Sequence, residues 1–412
     1  MSPRGSTGLP LGTIAVIITV VIANLGNNIV APIMPTIQSY FGSTAAEVAL
    51  VASGFGLGRL VMDLPAGLLT DRVSSARLFT AGILLAAIPA GLAASSSTLQ
   101  QVILFRMAMG FGSSIMSTVA LVLLVNLARP DQRGAVLGFY FSAMLLGQAI
   151  SPAIGGYLGA AFGWRAPFIF CALTPFLSLP LNLVATSKVA NRNGAGADAG
   201  KMESSAHRHG PSRRSAVSST NWPALIAVYI TVFANFFNRQ GMRQTILPLY
   251  GATMLGMDTG TMGAILTTGS IATIIINLPS GFAADRIGRK VLLLPGLAVL
   301  AVGNLFIIAG GGEPSFVAAT ILISMGVLAN SMQSGLVADL VPERLVGRML
   351  GTYRFVSDLG VVLGPVVLGL VLDATGFGGA AIVGATVVIM SIITAVLLIP
   401  RRTMQIPRPA EG

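Results

Sequence analysis

The sequence predicts an all-α membrane protein: twelve transmembrane helices in two six-helix bundles, related by a pseudo-twofold axis along the membrane normal. Three observations predict it. The 412 residues are 54% hydrophobic and only 9% charged, with a mean hydropathy of +0.82, whereas soluble domains carry about 25% charged residues. Apolar runs of about 20 residues, enough to cross a hydrocarbon core of about 30 Å as a helix, recur along the whole chain. The third observation is an internal repeat.

The runs cover 11–36, 46–70, 77–95, 99–127, 134–161, 165–186, 223–250, 260–284, 290–310, 315–338, 346–372 and 379–400. The first begins near Leu11 and continues past Pro35. It has no cleavage pattern around small residues such as Ala23 and Gly26, so it reads as a retained helix and not a signal peptide.

A net charge of +11 raises nucleic acid as a partner, and the positions of the basic residues argue against it. Outside the spans, Lys and Arg fall in the termini and in the loops on one side, with Arg165 alone on the other. That asymmetry is the positive-inside pattern, so both termini are expected in the cytoplasm and the chain in the cytoplasmic (inner) membrane. Cys171 is the only cysteine, which excludes an intramolecular disulfide and a Cys-based metal cage. His207 and His209 lie in a polar stretch and read as solvated loop residues; no metal or organic cofactor is expected.

Between 187 and 221 the apolar pattern gives way to Gly, Ser, Ala, Lys and Arg, a flexible cytoplasmic connector. It divides the chain into an N-terminal bundle (1–186) and a C-terminal bundle with a short tail (222–412). Across it the sequence repeats at an offset of 213 to 214 residues. Asp63-Leu-Pro-Ala-Gly67 with Asp71-Arg72 matches Asn277-Leu-Pro-Ser-Gly281 with Asp285-Arg286. Gly134, Gly138, Tyr140, Gly147, Pro152 and Gly156 match Gly347, Gly351, Tyr353, Gly360, Pro365 and Gly369; Pro35 matches Pro248. Six helices per half is an even number, so both halves enter from the same side and a pathway is expected between them at mid-membrane.

Gly281-Phe-Ala-Ala-Asp285-Arg286-Ile-Gly288-Arg289-Lys290 resembles the signature cytoplasmic loop of the major facilitator superfamily, and the resemblance covers the chain apart from linker and tails. The first-half copy keeps Gly67, Asp71 and Arg72 but has Ser74, Ser75 and Ala76 where glycine and basic residues are usual, with Arg77 as a substitute. The resemblance implies that Asp71 latches the start of the eleventh helix in the outward-facing state. In a simpler reading these are turn and topology residues. Gly147-Gln-Ala-Ile-Ser-Pro152-Ala-Ile-Gly155-Gly156 is similar to the motif of the family's drug/proton antiporters, with Ser151 in place of a glycine, and Gly364-Pro365 places the same device in the eleventh span. Glycines there also serve plain helix packing.

Ionisable groups at membrane depth are costly and mark candidate sites. Arg59 with Asp63, and Arg354 with Asp358, are spaced to share a helix face and to neutralise each other. They are expected to form one network between the halves, which protonation of Asp63 or Asp358 loosens; two separate intrahelical pairs are the alternative. Arg106 stands where the family carries an arginine implied in coupling. The seventh span offers Asn235, Asn238, Arg239 and Arg243 without an acidic neighbour, which suggests an anionic ligand, although Arg243 also lies within reach of headgroups. Facing it, the first span supplies the neutral Asn24, Asn27 and Asn28.

No Gly-x4-Gly-Lys-Ser/Thr loop and no Gly-x-Ser-x-Gly elbow occurs, against an ATP-driven pump and a membrane hydrolase. Gly54-Phe-Gly-Leu-Gly58 is read as a packing motif and not a dinucleotide site. The resemblance implies a monomeric secondary transporter energised by the proton gradient, with protons, a small molecule and the bilayer as partners. Proton-coupled export of an amphipathic or anionic metabolite or drug is the leading expectation. Uptake or facilitation of an organic anion, and a non-transporting sensor, are the alternatives.

Overall fold

The computed structural model describes residues 11–70, 72–128, 132–193, 220–310, 312–326 and 328–400, and among these it is helical with no strand. The first half contains α1 (Leu11–Asn28), a 3-10 turn (Ala31–Ile33), α2 (Met34–Phe41), α3 (Ala45–Thr70), α4 (Ser75–Ala94), α5 (Leu99–Leu127), α6 (Arg133–Phe162) and α7 (Arg165–Asn193). The second contains α8 (Trp222–Asn238), a π-helical stretch (Arg239–Ile246), α9 (Leu247–Leu255), α10 (Thr259–Ile287), α11 (Arg289–Ala309), α12 (Gly312–Met325), α13 (Leu328–Asp339) and α14 (Glu343–Leu398). Among the described residues, eight helices are long and apolar enough to cross a membrane. Taking 11–41, 222–255 and 312–339 as one rod each, and the two limbs of α14 separately, reproduces the serial order of the expected spans. Helix α7 continues to Asn193, past the expected boundary at 186. The stretch 194–219, with His207 and His209, lies outside the described residues.

Local chemistry sets the breaks. Pro32 and Pro35 remove amide donors from the first rod, which passes through a 3-10 turn before α2. The seventh rod is interrupted at the matching depth by π-helical turns, and Pro248 opens α9. Polar caps start α5, α8 and α10: Thr98, Asn221 and Asp258 accept from the first free amides of their helices. α14 turns back on itself at Gly376, whose φ of +76° only glycine adopts without strain, and the repeat-related Gly163 makes the same turn between α6 and α7 at φ +81°.

The linker end is the end where α7 stops and α8 starts; the far end is opposite. At the far end the halves meet closely. A Cβ on Gly369 of α14 would lie 2.8 Å from Ala46 Cα of α3, and one on Gly156 of α6 would lie 2.8 Å from Gly263 Cα of α10. Tyr40, Trp164 and Phe168 pack nearby, and the apolar cluster around them takes in Leu249, Leu372 and Phe377 from the second half. At the linker end the same helices stand apart: Gly134, Gly138, Gly347 and Gly351 all have open space where a Cβ would be. On α3, Leu64 and Leu68 are 77% and 68% exposed. The halves therefore enclose a cleft, shut at the far end and open toward the linker end.

Candidate functional site

At mid-depth a small pocket, open to the cleft, is lined by Asn28 from the first rod, Leu145, Gln148 and Ala149 from α6, Arg239 and Arg243 from the π-helical stretch, and Ser270, Thr273 and Ile274 from α10. Both halves contribute. Arg239 Nη2 donates to Gln148 Oε1 at 3.0 Å, which bridges the halves. Arg243 Nη2 donates to the Leu266 carbonyl at 3.0 Å and to the Ser270 hydroxyl. Its Nε is buried and has no hydrogen-bond partner, although the residue is only 6% exposed. Gln244 donates to Asn28 Oδ1, and Asn28 Nδ2 donates to the Gln148 carbonyl at 3.1 Å. Among the described residues no carboxylate lines the cavity. Two guanidiniums in a low-dielectric pocket without a counter-ion favour an anionic guest. Arg243 thus faces protein and cavity, and not headgroups.

Toward the linker end lies the charged network. Asp358 on α14 is within electrostatic range of Arg59 and Arg354, and its carboxyl faces that of Asp63 on α3 at hydrogen-bonding range. The four groups expected to meet between the halves do meet. Their pairing differs from the expectation: among the described residues no ion pair within 4 Å joins Arg59 to Asp63 or Arg354 to Asp358, and the only one is Arg289–Asp339. The spacing puts each pair on one face, but the side chains reach across the cleft instead. Asp63 accepts from the Ser114 hydroxyl, and Arg59 Nε is buried without a partner. Arg239 lies between Arg59 and Arg243 in the resulting row of positive charge.

Several expected site residues lie elsewhere. Asn235 donates to the Gly326 carbonyl at 3.1 Å and to Asn330 at 2.9 Å; Asn238 donates to the Ala234 and Gly384 carbonyls and accepts from Asn304 at 2.7 Å. Both are buried inside the second half. Arg106 is buried within the first half, its guanidinium 4.5 Å from the Phe55 ring centroid and its Nε 3.3 Å from the Val51 carbonyl. The side chain of Asn24 lies outside the described part.

The gating candidates also separate. Asp71 and the side chain of Asp285 lie outside the described part, as do the surroundings of Gly281. Gly67 has open space around it, and Arg72 and Arg286 are exposed. Gly288 takes φ +101°, and Arg289 pairs with Asp339 at 2.6 Å inside the second half. The repeat-related Ser74 has φ −57°, so the first-half loop turns differently and has no need of glycine. Gly147 meets Val21 of α1, Gly364 meets Phe237, and the Pro152 carbonyl meets Gly263; Pro365 is buried. The Gly54–Gly58 run packs α3 on α5 and α14 through Ile103, Val361 and Met107, as a packing motif does.

Sequence reasoning missed Gln148, Gln244, Ser270 and Asp373. Gln148 lies inside a run dominated by glycines and a proline, Gln244 follows Arg243, and a neutral amide carries no charge to mark it at membrane depth. Asp373, on the far end of the first limb of α14, accepts from the Ala45 and Ala46 amides, each at 2.9 Å, at the start of α3. Comparing the two halves for carboxylates near helix starts would have found it.

Two like-built helical halves, with a polar cationic cavity where they meet and a cleft leading to it from one end, have the architecture of a multi-pass membrane transporter. The model of the Major Facilitator Superfamily matches residues 16–262 and 228–412, and the chain belongs to that family. It is 24% identical over 406 residues to the multidrug efflux protein YfmO of Bacillus subtilis, covering 96% of this chain and 95% of that one. It is also 24% identical to the hexuronate transporter of Bacillus subtilis, covering 84% of each. A solved bacterial homolog of the human lysosomal transporter Spinster, in an inward-facing and unoccupied conformation, superposes with a TM-score of 0.72 at 14% identity, covering 96% of both chains.

Proposed function

We propose that this protein is a proton-coupled carrier that moves a small organic anion across the cytoplasmic membrane by alternating access, acting as a monomer with no cofactor beyond the proton gradient. The observation that carries this is the Arg239–Arg243 pair, which faces a cavity lined by both halves and, among the described residues, by no carboxylate. With the linker in the cytoplasm, as the charge asymmetry expects, the cleft opens inward and the site loads from the cytoplasm.

Asp63 and Asp358 are the coupling groups of this reading. Two facing carboxyls hold together by sharing a proton and repel when both are ionised. On this reading a shared proton ties the halves toward the linker end, the opposite sign to the loosening expected from the sequence. The Gly147–Gly156 run supports export. Uptake is the second reading, favoured by the hexuronate transporter among the full-length relatives.

The test is flux in sealed vesicles containing the purified protein, with D-glucuronate as probe and an internal pH dye. Glucuronate gradients should drive proton movement in the wild type. Arg239→Gln should reduce uptake of the probe at least about 30-fold, the loss typical of removing a buried charge partner. Asp358→Asn should leave glucuronate exchange intact and abolish the proton signal. Saturable, proton-linked flux of cationic dyes with none of organic acids would defeat the anion reading.

A further inference from the structure

Resting on the organic-anion reading, the geometry points to Gln148 as a specificity-determining residue: its amide oxygen occupies the place on Arg239 that the anionic group of the substrate takes. Three observations support this assignment. The Gln148 Oε1 to Arg239 Nη2 hydrogen bond, at 3.0 Å, is the contact that this guanidinium makes inside the cavity. It joins α6 of the first half to the π-helical stretch of the second, so whatever replaces it does so at the interface that must move. And the neighbouring polar groups are held in place. Asn28 is fixed between Gln244 and the Gln148 carbonyl, and Arg243 is anchored on Ser270 and Leu266, with an unpartnered buried Nε left over.

A carboxylate offers two oxygens to a guanidinium and binds in a fork; an amide offers one neutral oxygen. An incoming organic acid therefore outcompetes the Gln148 side chain, which swings aside and releases the bridge. The neutral amide matters. It fills the hydrogen-bonding need of Arg239 in the empty carrier without cancelling its charge, so the positive field that draws an anion persists. A carboxylate at 148 would do the reverse. It would form a permanent ion pair across the halves, cancel the charge of Arg239 and leave an organic acid Arg243 alone, which weakens anions relative to neutral compounds.

The experiment measures binding of D-glucuronate and of its neutral counterpart D-glucuronamide to the purified full-length protein by calorimetry, for wild type, Gln148→Glu and Gln148→Ala. Gln148→Glu should weaken glucuronate at least about 30-fold while changing glucuronamide less than about threefold. Gln148→Ala removes the competitor and should bind glucuronate as tightly as wild type or up to about tenfold more tightly. That arm stands even where the charged variant fails to fold. Equal glucuronate affinity in wild type and Gln148→Glu overturns the assignment and leaves the anion reading standing. A tenfold loss of glucuronate in Gln148→Ala also overturns it, since Gln148 is then a ligand contact and not a place-holder. Wild-type protein that binds no organic acid overturns both.

Discussion

Gly138 and Gly156 lie on one helix, 18 residues or about 27 Å apart, and their surroundings are opposite. A side chain at 138 would meet nothing within 4 Å, whereas one at 156 would collide with the backbone of Gly263. Their repeat mates tell the same story on α14, where Gly351 is open and Gly369 is pressed against Ala45 and Ala46. On the alternating-access reading proposed above, glycines at the two ends of both helices have different neighbours because the molecule is held in one of two states. The far-end set makes contact now; the linker-end set is the equivalent surface with its partner withdrawn. A rocking carrier has to close one seam as it opens the other, so these two sets are two seams of one mechanism.

The largest effect should follow from filling a seam. Gly156→Val overpacks the closed far end, at a cost of about 1–3 kcal/mol, enough to shift the balance about 5- to 150-fold toward the state with that end open. Gly138→Val should shift it the other way, toward the present state, because its clash arises only when the linker end shuts. Accessibility of single cysteines placed at Leu64 and at the buried Ala45, in a background lacking Cys171, reads the two ends separately. If both variants moved the equilibrium in the same direction, the two-seam picture would fail.

A smaller effect should come from the polar clasp on the far-end seam between α3 and α14. Asp373 gives both carboxylate oxygens to the first amides of α3, where free N–H groups and the helix dipole favour negative charge. Among the described residues the seam between α6 and α10 has no such bond to the start of its helix across the interface; Gly156, Gly159 and Gly263 close it by contact. One side of the far gate is thus charged and the other is tight. Asp373→Asn should weaken far-end closure by about 1 kcal/mol, a fivefold shift in the same cysteine assay, without lowering the melting temperature of the protein. A fall in melting temperature with no shift in accessibility would make Asp373 a stabiliser of the fold and not of the gate.

The fold was legible because its cause is crude: long apolar runs and a repeat marked by Gly and Pro survive any uncertainty about side-chain direction. Pro35 and Pro248 could be matched as repeat landmarks, but not the breaks in the two rods beside them. The site was legible by residue type and less so by arrangement. Arg239 and Arg243 reach the cavity as expected, whereas Asn235 and Asn238, on the same span, turn into the second half. The π-helical stretch from Arg239 to Ile246 alters the angular position of the residues beyond its start, Arg243 and Gln244 among them, and leaves no mark in the apolar periodicity. Likewise the spacing of Arg59 and Asp63 states that they share a face. It cannot state that Asp63 will find Ser114 and Asp358 closer than its own arginine, since those partners come from other helices.

The smallest effect isolates the clasp by comparison with a cap. Asp258 stands at the start of α10, as Asp373 stands at the start of α3, but it belongs to the helix it caps. It accepts from the Gly260 and Thr261 amides at 2.7 and 3.0 Å and from the Thr261 hydroxyl. The Thr261 hydroxyl, followed by the backbone amides, holds its carboxyl below the ordinary carboxylate value. A depressed value in the folded protein means that the stabilisation is present above the unfolded value and is lost as pH falls through the folded one. The group is mostly exposed, so solvent screening keeps the contribution small. Asp258→Ala should therefore cost at most about 1 kcal/mol of stability at neutral pH, less in acid, and leave the accessibility of both ends unchanged. A carboxylate at a helix start moves the gate only when it sits on the other half; equal shifts from Asp258→Ala and Asp373→Asn would erase that distinction.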